Sequence, residues 1–226
     1  MTAPTIDPLA LARLLRLVSP ALPVGAYAYS QGLESAVEAG WVRDADSARD
    51  WLQALMLRSQ VSVDLPALLR MQRAYAAADF GAYAHWNDWL LASRESAELH
   101  FEDTQLGAAL WRLLDGLELP VAGRIDAPCS FAAAFVAACH AWKLPASMIG
   151  IGYLWCWLEN QVSAATKLIP LGQTAAQRIL EQLLPLLPGA VARAAALPDD
   201  ELGASLPGLA WLSAQHETQY SRLFRS

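Results

Sequence analysis

Apolar residues recur along the chain at three- and four-residue intervals, the spacing of helices that bury one face. Sustained apolar–polar alternation, the mark of half-buried strands, is nearly absent. Residues 9–18 set Leu11, Leu14, Leu15 and Val18 on one face, and Ser19-Pro20 ends the run. Two prolines and a glycine make residues 20–25 a loop. Ser30 is placed to cap a short helix to Ala39, with Gly40 as its stop. Asp46 or Ser47 opens the next, which carries Trp51, Leu52, Leu55 and Met56. Asp64 with Pro66 two residues on reads as a fresh helix start running towards Ala78. Further helices are expected over 79–91 and, at greater length, over 93–117, with a break at 119–128. Ser130 caps an Ala-rich helix to about Trp142. Pro145 opens a very apolar one through Leu158 that turns polar at Glu159-Asn160-Gln161 and ends at Pro170 and Gly172. Residues 173–187 form another, interrupted by Pro185 and Pro188. Residues 198–207 are a loop, and 211–226 are polar and only partly helical.

The pattern predicts an all-α fold, a single domain over 1–226 built as a bundle of roughly eight to ten helices. Composition adds to this. Of 226 residues, 55% are apolar and only 17% charged, enough to fill a sizeable core and leave apolar surface for partners. The net charge of −6 and the lack of any basic run argue against nucleic-acid binding, which draws its affinity from Lys and Arg on phosphates. Cys129, Cys139 and Cys156 are an odd set without C-x-x-C spacing, so neither a disulfide framework nor a zinc site is expected. They suit a reducing cytoplasm. No leader pattern opens the chain. The most apolar stretch, 144–158, falls short of the roughly 20 residues of a membrane span.

Searching for chemistry yields little. The sequence contains no nucleophile elbow of the G-x-S-x-G kind and no P-loop. Gly150-Ile151-Gly152 begins like a dinucleotide fingerprint, but Trp155 takes the third position and no strand precedes it. His216-Glu217 begins like a zincin helix, but Tyr220 stands where the second histidine belongs. His100 with Glu102 and Asp103 could offer at most a weak metal site, and a solvated helix face is the simpler reading. Glu95 and Glu98 are expected one helical turn apart, but the Glu-x-x-His of di-metal bundles is missing and Arg94 beside them suggests ion pairs. Catalytic residues, cofactors and metals are therefore all assigned as none. Nine tryptophans are mostly core, although Trp155 and Trp157, two apart on one helix, face apart, and one of them is free to meet a second chain.

Two segments do not read as ordinary core. Residues 19–32 form a rigid apolar loop with Tyr27 and Tyr29, and its prolines lower the entropic cost of presenting it. The tail of about 213–226 carries Tyr220, Arg222, Leu223, Phe224 and Arg225, residue types that anchor interfaces. It either orders on a partner or docks on its own core.

These segments carry a family resemblance. Residues 19–34 resemble the block S-P-A-L-P-V-G-G-F-S-Y-S-Q-G-L-E of the urease accessory protein UreF family, with Ala26, Tyr27 and Ala28 replacing Gly, Phe and Ser. Ser93-Arg94-Glu95-Ser96-Ala97-Glu98-Leu99, residues 158–180 and the ending H-E-T-Q-Y-S-R-L-F-R-S are three further collinear matches. The resemblance implies an all-helical, dimerising protein without a catalytic centre. It also implies partners: UreD (UreH in some organisms), the GTPase UreG, and through them the urease apoprotein, for nickel insertion and possible regulation of GTP hydrolysis. Carried over residue by residue, it assigns partner contact to Pro20, Pro23, Gly25, Tyr29, Ser30 and Gln31, and to Tyr220, Arg222, Leu223, Phe224 and Arg225 as a UreD-facing end. Arg94, Glu95, Glu98, Glu159, Asn160, Gln161 and Lys167 are family-like polar positions, expected either at a surface or in internal hydrogen bonds. Two rivals stand beside it: a helical enzyme with a buried small-molecule pocket, and a stand-alone metal carrier using His100 or His216.

Overall fold

The structure, a computed structural model, describes residues 7–125, 128–203 and 206–226. Among them are helices and turns and no strand. The α-helices are α1 (Pro8–Leu17), α2 (Leu33–Glu38), α3 (Ala45–Leu55), α4 (Leu65–Ala76), α5 (Phe80–Ala92), α6 (Ala97–Gly116), α7 (Phe131–Ala141), α8 (Ala146–Leu168), α9 (Gln173–Leu183), α10 (Leu187–Ala196) and α11 (Pro207–His216). Two pairs run on as single rods: α3 into α4 through a π-helical segment, Met56–Asp64, and α9 into α10 through a short 3-10 turn, Leu184–Leu186. The eleven segments thus make nine rods, as the sequence pattern predicts for an all-α bundle.

Polar side chains cap five of these eleven helices. Asp7 accepts from the Leu9 and Ala10 amides, Asp79 from Ala82, Ser96 from Leu99 and Ser130 from Ala133, each satisfying an orphan N–H of the first turn. Two starts differ from expectation. Asp44, rather than Asp46 or Ser47, caps α3, and Ser47 closes the capping box from the third position. The long helix begins at Ala97 rather than Ser93, because Ser96 is its cap.

The start expected at Asp64 does not exist. The chain is helical through Asp64, and Pro66 lies inside the rod. An interior proline removes a donor and clashes with the carbonyl four residues back. Here that carbonyl belongs to Ser62, and it accepts from the Gly203 amide at 3.0 Å. The wider π register, with the Leu65 amide bonding to Gln60, relieves the crowding.

At the centre lies α7, whose residues from Ala132 to Cys139 are all buried. It packs on α4, α5, α6 and α8. Gly107 lets α6 approach the chain entering α7: a Cβ there would lie 2.1 Å from the Cys129 carbonyl oxygen. Opposite, α8 rests on α4, α9 and α10. The rod Gln173–Ala196 is the one candidate by length and apolarity, among the described residues, for crossing a membrane. It presents Ala176, Ile179, Leu180, Leu183, Leu187, Ala190 and Ala194 to the core. α11 lies against α2 and α6 and brings the tail back over the bundle.

Candidate functional site

The four sequence blocks that carry the family resemblance meet in space. Gly25, with φ of +84°, turns the proline loop, a conformation that suits a residue without a side chain. Pro20 and Pro23 stay exposed, and Tyr27 is 66% exposed. Tyr29 and Ser30 turn inward and are buried. Gln31 holds a left-handed φ of +53°, uncommon for a residue with a Cβ. Its amide explains the conformation: Nε2 donates to Glu102 Oε1 at 2.7 Å, and Oε1 accepts from the Trp157 indole at 2.8 Å.

The tail docks on this loop. The Ser226 main-chain oxygen accepts from the Ser30 amide at 2.8 Å and from the Ser30 hydroxyl at 2.5 Å. The Arg225 amide donates to the Ala28 carbonyl. Glu34, near the start of α2, accepts from the Leu223 amide at 2.7 Å and the Phe224 amide at 2.8 Å, so one carboxylate holds two successive tail N–H groups. The Ser226 hydroxyl donates to Glu102 Oε2 at 2.6 Å. Lys167 reaches across from α8, its ammonium 5.9 Å from the Tyr27 ring centre and 5.4 Å from that of Phe224, within cation–π range of both.

His216, at the end of α11, is fully buried between two carboxylates, with Nδ1 2.7 Å from Glu98 and Nε2 3.2 Å from Glu34. Glu98 also accepts from Arg222 at 2.6 Å. Two readings of the sequence are corrected here. Glu102 and Asp103 are not on a solvated face: both are buried, and only His100 is exposed. Glu95 is not one helical turn from Glu98, because it sits in the bend before α6.

Among the other polar positions, Arg94 pairs with Asp103 and Asp64, each at 2.7 Å, rather than with the adjacent glutamates. Asn160 donates to the Tyr29 carbonyl at 3.3 Å. Glu159 is half-buried, which raises its carboxyl above the ordinary value. Gln161 is fully buried, yet neither amide atom has a hydrogen-bond partner among the described residues. Burial pushes Glu102 up to about 7 against the pull of its bonds to Ser226 and Gln31.

On the outside, Tyr220 is fully exposed, Leu223 is 63% exposed, and Arg222 and Arg225 also face outward, while Phe224 anchors the tail from within. Sequence reasoning had not singled out Glu34, and had read Asp64 only as a helix start. The register offered a signal for the acids of α6: Glu102, Leu106, Leu110 and Leu114 fall four apart, so Glu102 heads the core stripe.

The sequence profile of the UreF family matches residues 42–184. The chain is 51% identical to the urease accessory protein UreF of Chromohalobacter salexigens, over 97% of this chain and 96% of the relative. It is 48% identical to that of Alkalilimnicola ehrlichii over the whole of both chains. The chain belongs to the UreF family. With the UreF of Psychrobacter cryohalolentis it shares 50% identity over 98% of this chain and 96% of that one. Such coverage includes the loop, the α6 and α8 positions and the tail together. These relatives carry the name of accessory proteins of urease.

Proposed function

We propose that this UreF-family chain is a non-catalytic scaffold in urease maturation, working in the cytoplasm as a homodimer. It binds UreD (UreH), and the pair recruits the GTPase UreG to deliver nickel to the urease apoprotein. Pairing two copies places two GTPases close together and raises their effective concentration. The partner surface is the docked tail with the proline loop: Pro20, Pro23, Tyr27, Tyr220, Leu223 and the two tail arginines. The observation that carries this reading is the tail itself. A segment pinned from below by Glu34, Ser30 and Glu102 still turns Tyr220 and Leu223 to the outside. Exposed aromatic and aliphatic residues on a pre-ordered backbone are what a protein partner engages at least entropic cost.

Light scattering on the chain co-expressed with UreD tests the idea. The double variant Tyr220→Ala, Leu223→Ala leaves every tail anchor in place. It is expected to lose the UreD complex while keeping its own unfolding midpoint. A complex that survives this substitution moves the UreD contact off the tail, and a wild-type chain that ignores UreD removes the scaffold reading.

A further inference from the structure

Below the junction of loop, tail and α6 lies a partly enclosed chamber of about 210 Å³. One face of α8 forms a wall of it, because Tyr153, Trp157 and Asn160 fall four and three residues apart and share a helical stripe. Leu55, Leu106 and Phe131 add apolar surface from neighbouring elements. Arg94, just before α6, and Glu102 and Asp103 within it bring charge to the opposite side of the lining. The carboxylates are already engaged. Asp103 accepts from Arg94 through one oxygen and from the Phe131 amide through the other. Glu102 accepts from Gln31 and Ser226. Asp64 accepts from Arg94 through Oδ1, and its Oδ2 is sealed away from the chamber. Glu95, the remaining acid of the lining, is exposed to water.

Two donors of the lining stay open. Arg94 uses Nε and Nη2 on Asp64 and Asp103, while its Nη1 has no hydrogen-bond partner among the described residues and is not closed off. Tyr153 is more than nine-tenths buried, its ring packed on Phe131 and Phe135. Its hydroxyl likewise has no partner among the described residues and keeps accessible surface. Burial, with the Asp64 and Asp103 charges beside it, raises that hydroxyl well above its ordinary value, so it keeps its proton to donate. The chamber therefore asks for an acceptor. Charge narrows the choice. An anion meets Asp64, Glu95, Glu102 and Asp103 against the single guanidinium of Arg94. A cation finds no open oxygen on the interior carboxylates to offset its loss of water. A neutral acceptor meets neither obstacle, and the apolar part of the lining suits an apolar remainder. A cavity of about 150 Å³ holds benzene, so this one takes roughly eight or nine non-hydrogen atoms.

We infer that the chamber is a binding site for a small neutral carbonyl compound, of the carboxamide kind, on a flat apolar or aromatic stem. Its carbonyl oxygen accepts from the Tyr153 hydroxyl and Arg94 Nη1, and its stem lies against Phe131 and Trp157. The buried ion pairs make this possible: Asp64 and Asp103 hold the guanidinium in place by two of its nitrogens and leave the third for the ligand. The site is independent of UreD or UreG contact, so a negative result leaves the scaffold reading as it stands.

Calorimetric titration of the full-length protein with benzamide tests it, with benzoate and benzamidinium as the anion and cation of the same shape. Benzamide is expected to bind at one saturable site, and both charged molecules at least about tenfold more weakly. Tyr153→Phe keeps the ring and its packing and removes only the open hydroxyl. It should weaken benzamide binding roughly three- to tenfold. Its unfolding midpoint should not fall, because the lost hydroxyl has no partner within the protein. The inference is overturned by no benzamide binding up to about 10 mM, by benzoate or benzamidinium binding as well as benzamide, or by a Tyr153→Phe variant that binds benzamide as the wild type does.

Discussion

Helices α6 and α7 lie side by side, yet they are held in opposite ways. The buried stretch of α7, Ala132 to Cys139, carries only apolar side chains, and its place is fixed mainly by shape and volume, with the Tyr83 hydroxyl donating to the Ala133 carbonyl. The buried stripe of α6 opens with Glu102 and Asp103 and continues through Leu106, Gly107, Leu110, Trp111 and Leu114. Its polar head is tied atom by atom: Asp103 to Arg94 and to the Phe131 amide, Glu102 to Gln31 and Ser226. Apolar burial sets how stable a contact is. Paired buried polar groups set which atom meets which, because any other arrangement leaves them unsatisfied. The apolar centre thus makes the bundle, and the polar head of α6 decides where the loop and tail come to rest.

Substitutions should separate the two modes. Phe135→Ala, in the apolar centre, is expected to cost about 4 kcal/mol in urea unfolding by opening a cavity. Tail amide exchange in the folded state should be unchanged relative to that lower global stability. Arg94→Met should cost somewhat less, about 3 kcal/mol, by leaving the Asp64 and Asp103 carboxylates buried without their cation. Unlike Phe135→Ala, this loss should shrink as the pH is lowered and the carboxylates take up protons. A cost independent of pH would show that Arg94 works by packing alone.

Glu102 gives the pH signature of the polar head. Its carboxyl titrates near 7 when folded, against an ordinary value of 4.5, because burial disfavours the charge. Between those values the folded chain holds a proton that the unfolded chain has released. Stability from this group is therefore fully present below about pH 4.5 and is lost as the pH rises through 7, on the order of 3 kcal/mol in all. Glu102→Gln should flatten the fall in unfolding midpoint between pH 5 and pH 8; an unchanged slope would assign it elsewhere. The smallest effect is expected from Glu34→Gln. It turns one of the two acceptors for the Leu223 and Phe224 amides into a donor and should cost about 1–2 kcal/mol. Hydrogen exchange should show the loss confined to the tail, with α7 still protected.

Much of this protein is readable without coordinates. Helical spacing, serine and aspartate caps and proline stops place most of the rods, because those signals act within a few residues. Where the signal and the packing conflict, packing wins. Asp64 with Pro66 has the local chemistry of a helix start, yet the rod runs through. The Asp64 side chain is taken by Arg94, thirty residues on, and the carbonyl that Pro66 cannot serve is taken by Gly203. Ser30 likewise reads as a cap. Its oxygen does lie 3.3 Å from the Glu34 amide, but its proton goes to Ser226 and the helix begins only at Leu33.

The sequence by itself determined the all-helical class, most of the rods and the family, since each rests on near-neighbour spacing or on collinear blocks; in α1, though, Leu11 and Leu15 of the expected face are exposed and Ala10 and Leu17 are buried instead. Only the tertiary structure decided that the tail lies on its own core, that Glu102 and Asp103 are interior, and that Asp64 is buried against Arg94. These outcomes depend on partners dozens to nearly two hundred residues away. A charged side chain becomes interior or surface according to what the fold brings to it, and no local pattern contains that information.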